Sequence, residues 1–469
     1  MPCNFHSGVA RKLAFGVTPT LLAACLLVPA WSQIHVAPNV QVSAARPTIS
    51  HHEVVIAADP NVAGDLLACS MLNLRPGSTN TAAYVSFDAG RHWTPGPVNA
   101  EKWSDDPTCA YGPDGQAYFG AKVETQYPRR DSSDSDELFI FRSLDHGRTW
   151  DPVIKSLLAN DRPFLVVDNT HGPYRGRLYA AYAERIYGDT PGKGLDNFRN
   201  TVRLITLTQN GHSLRWVYER ALMHQTKGHM STSIAYGLAV TSDGHVTILE
   251  ERRHFNGSHE VEARVQSFRS DDGGETFGPA TTISVFRGAW DIPWVHGLVG
   301  GVAVDSSSGQ FKNRLYAVWT AVVAGRSRVM FANSSDEGAS WSAPSAVDDD
   351  AASTRASGGP DDFQPAVAVN RDGVVGVSWY DRRDNADNRG YYVRFAASLD
   401  GGQTWLPSVR VSSQPNSVPQ IRRGFSMTGG DTSGLAADAA GAFHALWVDN
   451  RTGVQQVWTA AIQVTGHGR

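Results

Sequence analysis

The chain has 469 residues, enough for one large core or several domains, and its 41% apolar, 10% aromatic and 19% charged composition is that of a folded protein, not a disordered one. A formal net charge of −4, with no run of lysine and arginine, speaks against a nucleic-acid partner. Thirteen tryptophans and 45 glycines favour a turn-rich β protein over a helical one.

Arg11 and Lys12 precede an apolar run from Leu13 to Ala30, and polar sequence opens at Gln33. That is the plan of a secretory leader. The expectation is a signal peptide over 1–32, cut after Ala30 or Ser32, and an exported bacterial protein, periplasmic or extracellular, with one domain over 33–469. Loss of the two cations takes the net charge from −4 to −6. Leu22-Ala23-Ala24-Cys25 is also similar to a lipobox, which would place a lipid anchor at Cys25. No other stretch is long and apolar enough to span a bilayer. Cys69 and Cys109 remain after the leader, both in apolar strands; they read as buried free thiols, with one disulfide as the alternative.

An internal repeat then organises the chain. SFDAGRHW (86–93), SLDHGRTW (143–150), SDDGGETF (270–277), SSDEGASW (334–341) and SLDGGQTW (398–405) share Ser-x-Asp-x-Gly-x-(Thr/Ser)-aromatic, with His92 the one lapse. The aspartates are 57, 127, 64 and 64 residues apart, so the long interval hides a decayed copy, TQNGHSLRW at 208–216. A short carboxylate that bonds nearby N–H groups, followed by a glycine free to take φ > 0, suits a tight strand-to-strand turn. The trailing aromatic is expected to pack between neighbouring sheets.

Upstream of each box an apolar run, a turn and an aromatic-rich strand recur, as in PAVAVNRDGVVGVSWYD and GLAADAAGAFHALWVD. Seven such units can be counted, the last lacking a fourth strand. APNVQVSA (37–44) matches LPSVRVSS (406–413), the strand after the last box, so the N-terminal strand is expected to complete the last unit and remove a free sheet edge.

The boxes resemble the Asp-box, or BNR, repeats of sialidases and their relatives, and DRPFLVVD, SWYDRR and GDTSGLAAD resemble phrases of exported bacterial sialidase-like proteins. The resemblance implies an all-β propeller of four-stranded blades, seven here with six as the alternative, in which the boxes lie away from the active site. It also implies that inner-strand starts and second-strand ends share the functional face. On that face it gathers Asp106, Asp161, Arg162, His229, Asp291, His296, Asp361, Asp362 and Asp431, with Lys122, Glu124, Glu184, Arg185, Glu250 to His254, Tyr380 to Arg383, Asp449 and Arg451.

Sialidases grip a carboxylate with three arginines and use a tyrosine nucleophile, an activating glutamate and an aspartate acid/base. By position, Arg162, Arg252 or Arg253, Arg382 and Arg451 are the candidate grips, with Asp431 a further substrate contact. Tyr380 is the candidate nucleophile, since a phenol beside arginines and a carboxylate loses its proton more readily. Asp106, Glu184, Glu250, Glu251 and Asp381 are the acid/base candidates. The implied function is a sialidase-like hydrolase acting at the end of a glycan bearing an acidic sugar, as a monomer without cofactor. Two alternatives are a polysaccharide lyase on uronates and a non-catalytic glycan- or protein-binding propeller. Paired acids such as Asp361-Asp362 could hold a structural calcium.

Overall fold

The computed structural model describes residues 33–466 apart from 76, 100–102, 125–135, 159–160, 188–197, 211–212, 222–229, 257–258, 290–299, 352–358, 386 and 418–428. The leader, including Cys25, lies outside the described residues.

Six sheets make up seven antiparallel blades that follow one another in the chain, blades 3 and 4 being joined into one sheet by a single parallel pairing of Arg199 with Ser231. Blade 1 comprises β3 (His51–Ala58), β4 (Leu66–Leu72), β5 (Asn80–Ser86) and β6 (Thr94–Asn99). Blade 2 holds β7 (Ser104–Tyr111), β8 (Ala117–Glu124), β9 (Asp136–Ser143) and β10 (Asp151–Leu158). Blade 3 holds β11 (Asp161–Val167), β12 (Leu178–Tyr187), β13 (Phe198–Asn210) and β14 (Ser213–Ala221). In blade 4 are β15 (Met230–Val240), β16 (Val246–Asn256), β17 (His259–Ser270) and β18 (Thr281–Phe286). Blade 5 consists of β19 (Gly301–Val304), β20 (Leu315–Val323), β21 (Arg326–Ser334) and β22 (Ser345–Ala346). Blade 6 is β23 (Asp362–Val369), β24 (Val375–Asp381), β25 (Tyr392–Ser398) and β26 (Val409–Arg410). Blade 7 takes β27 (Gly434–Ala437), β28 (Phe443–Asp449) and β29 (Gln456–Thr465) from the C-terminal end. Its outer edge is β1 (Gln33–Val36) and β2 (Val40–Gln41).

The first strand of each blade packs on the first strand of the next, and β27 packs on β3, so the seven inner strands close a ring. This is a seven-bladed β-propeller. The N-terminal segment closes it: Gln33 to Val36 pair with Thr465 to Ile462, and Val40-Gln41 with Thr459-Trp458. The closing strand therefore begins at Gln33, upstream of the expected 37–44, and breaks between its two pieces.

One apolar cluster fills each gap between successive blades, seven in all. Alternation supplies them: Ile248 faces blade 3 and Leu249 faces blade 5 from the same strand. The trailing aromatics of the repeat turns complete these layers, each on the side of the preceding blade: Trp93, Trp150, Phe277, Trp341 and Trp405.

All five turns are built alike. In the second, Ser143 Oγ donates to Asp145 Oδ1 (2.7 Å) and accepts from Gly147 N (2.8 Å), while Asp145 accepts Thr149 N (2.8 Å) and Thr149 Oγ1 (2.7 Å). At the lapse, His92 Nδ1 stands in for the hydroxyl, 2.6 Å from Asp88 Oδ2. Gly147 has φ 92°, and a Cβ there would lie 3.1 Å from Val85 Cγ1 of the neighbouring blade, so both backbone and space require glycine. The decayed copy joins β13 to β14, with Asn210 opposite Ser213.

Candidate functional site

Five residues before the last residue of their inner strands (Ala58, Tyr111, Val167 and Val369) stand Glu53, Asp106, Arg162 and Gln364. All four have φ between 46° and 57°, a region that costs a residue with a Cβ. Each sits where pairing to the second strand slips: between His52 and Val54, Asp105 and Thr108, Asp161 and Phe164, and Phe363 and Ala366. Such a bulge turns a side chain out of the ladder. Proline follows three of the four (Pro107, Pro163, Pro365), which suits a broken ladder because proline has no N–H to leave unpaired. In blade 4 the slip lies between Ala235 and Gly237, and the extra residue is Tyr236.

These bulges bring polar groups of five blades together. Arg162 Nη2 pairs with Asp431 Oδ2 of blade 7, and Arg162 N donates to Asp106 Oδ2 at 3.1 Å. Lys122 Nζ lies 3.0 Å from Asp105, 3.7 Å from Asp106 and 3.9 Å from Asp136. Burial raises the Glu53 carboxyl well above the usual range and the charge of Asp106 adds to this, while Arg162 and Lys122 pull the other way. Burial, then Asp106, also push Asp105 up to about 7. Lys122 keeps its proton despite burial because Asp105, Asp106, Asp161 and Asp136 surround it.

Across the ring, Tyr236 Oη donates to Glu251 Oε2 and Arg253 Nε donates to Glu251 Oε1, with all three side chains buried. Burial first, then the charge of Glu251, holds the proton on Tyr236; the charge of Arg162 acts in the opposite direction. Arg162 thus bears on both Tyr236 and Glu53 and links the two clusters. Gln364 is fully buried, and neither end of its amide has a hydrogen-bond partner among the described residues; the Thr432 hydroxyl is likewise unpartnered there.

Of the residues singled out by sequence, Asp106, Arg162, Glu251 and Asp431 fall in this network, joined by Lys122 and Arg253. Arg252 lies on the opposite face of β16 from Glu251, beside Glu250. Glu184 is on β12 opposite Thr201, its side chain outside those described, as are those of Arg185, His229, Asp291 and His296.

The SWYDRR stretch has another character. Tyr380 is fully buried, stacked on Tyr391 (3.9 Å between centroids, 6° between planes) and edge-on to Phe363, and burial raises its pKa, the direction opposite to that expected of an activated nucleophile. Asp381 accepts the Trp379 indole (3.1 Å) and the Arg383 backbone and guanidinium (2.8 Å). Blade 7 repeats the arrangement, Asp449 accepting the Trp447 indole (2.8 Å) and Arg451 Nε (2.9 Å). Arg451 is therefore a brace within its own blade, extended to Asn39 and Ser413. Arg382 is buried over Phe363 and beside Asp361 (3.5 Å), and burial lowers its pKa to about 10. Arg162, Arg382 and Arg451 are thus each held by a different carboxylate, and the expected three-arginine grip does not form from them. Arg383 reaches Asp381 and Asp349.

Asp361 and Asp362 also diverge. Asp361 accepts Ser327 N (2.9 Å), whereas Asp362 faces Arg326 with Asp348 and Asp350. That second trio could ligate a cation, but the Arg326 guanidinium already supplies its positive charge. Cys69 and Cys109 are buried free thiols at the gap between blades 1 and 2.

A cavity of about 1210 Å³ lies around the axis at the opposite, repeat-turn end, lined by Val166, Val240, Val304 and Val369 and by turn residues such as Asn61, Thr170 and Lys312. The ionisable groups gather at the other end, and their chemistry, not the size of the cavity, locates the candidate site.

No family model matches this chain, and no curated protein matches it. Solved structures do resemble it in shape. A Penicillium chrysogenum alpha-L-arabinanase complexed with arabinobiose has a TM-score of 0.46 at 13% identity over 74% of this chain and 94% of its own. A Trypanosoma rangeli sialidase in complex with the inhibitor DANA scores 0.42 at 14% identity over 78% of this chain and 56% of its own. The K499G mutant of NanB sialidase from Streptococcus pneumoniae scores 0.44 at 10% identity, over 70% and 65%. Likenesses this distant carry no argument about the reaction.

Proposed function

We propose that this chain is an exported glycoside hydrolase working at the bulged inner-strand starts. The observation that carries the reading is a pair of carboxyl groups in contrasting environments, Glu53 under the influence of Arg162 and Glu251 bonded to Tyr236, which Arg162 also influences. Glu53 is buried and held protonated, with Asp106 opposing its ionisation. Glu251 is buried but receives the Tyr236 hydroxyl and the Arg253 guanidinium, two donors that compensate a charge. Carboxyl groups whose surroundings differ in this way divide the acid and base roles of glycoside hydrolysis.

In the proposed reaction Glu53 gives its proton to the glycosidic oxygen as the bond from that oxygen to the anomeric carbon breaks. Glu251, steadied by Tyr236 and Arg253, completes the replacement from the other side, by bonding to the anomeric carbon or by taking a proton from the water that does. Asp105 and Lys122 next to Glu53 offer a route for returning its proton. Tyr236 replaces Tyr380 as the tyrosine of the site.

The acidic sugar implied by the sequence resemblance needs a cation able to receive a carboxylate. Arg162 is engaged by Asp431 and Arg253 by Glu251, which disfavours that substrate.

The test is release of fluorophore from a panel of aryl glycosides, neutral and acidic, by the wild type and by Tyr236→Phe, Glu251→Gln and Glu53→Gln. Turnover on at least one glycoside, lost in Glu251→Gln and Glu53→Gln, is expected. A folded wild type that turns over none of them removes the hydrolase reading and leaves a sugar-binding propeller.

A further inference from the structure

Among the described residues, every cation in the network has a carboxylate partner. With Glu53 protonated, the carboxyl groups of Asp105, Asp106, Asp136, Asp161, Glu251 and Asp431 still number six among the described residues, against three cations, Lys122, Arg162 and Arg253. A ligand carboxylate entering here would meet a surplus of its own charge at low dielectric, where repulsion is strong. The neutral hydrogen-bonding groups are in the opposite condition. Gln364 is fully buried with amide nitrogen and oxygen both unpartnered among the described residues, and a buried amide without partners is costly. It occupies the same strand position, with the same left-handed φ, as Glu53, Asp106 and Arg162, whose side chains meet one another around the axis. Its backbone is fixed from both sides: N accepts no freedom because it donates to Thr320 Oγ1 (3.2 Å), and its carbonyl receives Ser433 Oγ (3.0 Å). Beside Ser433 on blade 7, the Thr432 hydroxyl is also unpartnered.

We propose that the blade 6–7 side of this site, Gln364 with Thr432, binds hydroxyl groups of a neutral sugar, and that the site rejects sugars bearing a carboxylate. An amide offers a donor and an acceptor to vicinal hydroxyls without adding charge, which fits a ring of groups whose charges are already matched. The inference rests on the same location as the hydrolase reading but concerns recognition, and it is tested by binding, which needs no turnover.

Labelled wild-type protein is applied to a glycan array carrying neutral, uronate-bearing and sialylated glycans, and the strongest hit is titrated by calorimetry beside its carboxylate-bearing counterpart. Binding confined to neutral glycans, with the acid partner at least about tenfold weaker, is expected from like-charge repulsion. Gln364→Leu, close in size, should weaken the neutral ligand roughly tenfold through the lost hydrogen bonds. Stronger binding of any acidic glycan than of its neutral counterpart overturns the proposal, and so does an array with no neutral hit. Undiminished binding by a folded Gln364→Leu overturns the role of that residue. Neutral binding without turnover of any glycoside sustains the inference while removing the hydrolase reading.

Discussion

The Arg162–Asp431 pair allows a quantitative test of whether this end of the ring is a buried, interlocked ion network or a hydrated rim. Arg162 is 8% exposed and Asp431 fully buried. Removing one partner of such a pair strands the other charge and costs about 3–5 kcal/mol. Asp106, whose Oδ2 accepts Arg162 N, stands beside Arg162 and offsets part of the stranded charge, so Asp431→Asn is expected at the lower end, about 3 kcal/mol. The internal control is Arg175–Asp114, a contact of 2.7 Å with side chains 34% and 65% exposed. Exposed pairs of that kind contribute about 0–1 kcal/mol, so Asp114→Asn should be nearly silent. Both are read from urea unfolding at constant slope. The double variant Arg162→Met/Asp431→Leu removes both charges and should recover most of the loss, since apolar replacement of a buried pair is often neutral. A loss in Asp431→Asn no larger than in Asp114→Asn refutes the buried-network picture, as does a double variant as unstable as the sum of the two singles.

Three further expectations follow from individual groups. Glu53→Gln should lower kcat/KM at least about a hundredfold, and the wild-type decline at alkaline pH, where the raised Glu53 carboxyl loses its proton, should vanish with it; an unchanged pH profile refutes the acid role. Burial lowers His51 and His52 from 6.5 to about 4, so the unfolded chain binds protons that the folded chain refuses. Their contribution is complete above about pH 6.5 and lost as pH falls toward 4, up to roughly 3 kcal/mol each. Asp105 and Asp348, raised to about 7 and about 6, act with the opposite sign, so the reading is the difference between wild type and His52→Gln, which should lose less stability between pH 7 and 5. Asp400→Ala deletes the acceptor for Ser398, Gln403 and Thr404 at one repeat turn and should cost about 1–2 kcal/mol in urea while leaving turnover unchanged; lost turnover with the fold intact would place the turns in the chemistry.

The blade count and the ring closure were legible because they repeat. Five nearly identical turns set a register, and alternation between apolar and polar residues needs only local sequence to be read. Even the His92 lapse has a local explanation, since its Nδ1 reaches the carboxylate that a hydroxyl serves elsewhere. Part of the misdirection toward SWYDRR was avoidable: Trp379, Asp381 and Arg383 recur as Trp447, Asp449 and Arg451, a second repeat whose carboxylate holds its own tryptophan and arginine. The site itself gave weaker signals. A polar residue before proline at an inner-strand start marks Asp106, Arg162 and Gln364, but Glu53 precedes valine and Tyr236 lies in the apolar run SIAYGLAV, where nothing local announces a bulge. Which charges meet across a ring is a property of closure between blades far apart in sequence, and no spacing encodes it.

The bulges connect fold to site most directly. A residue with a Cβ held in the left-handed region costs on the order of 1–3 kcal/mol, so Glu53, Asp106, Arg162 and Gln364 together carry roughly 4–12 kcal/mol of strain, comparable with the whole net stability of an ordinary domain. Four copies at one strand position are not an accident of packing, because the same position in blade 4 is the unstrained Ala235, with the slip moved one residue on to Tyr236. Glycine would relieve the strain at each, and the chain places there a carboxylic acid, a carboxylate, a guanidinium and an amide. For three of them the return is visible in the ion network they build. Gln364 has the same strain and its side-chain amide has no partner among the described residues; the ligand hydroxyl proposed above would satisfy that amide without disturbing a single matched charge.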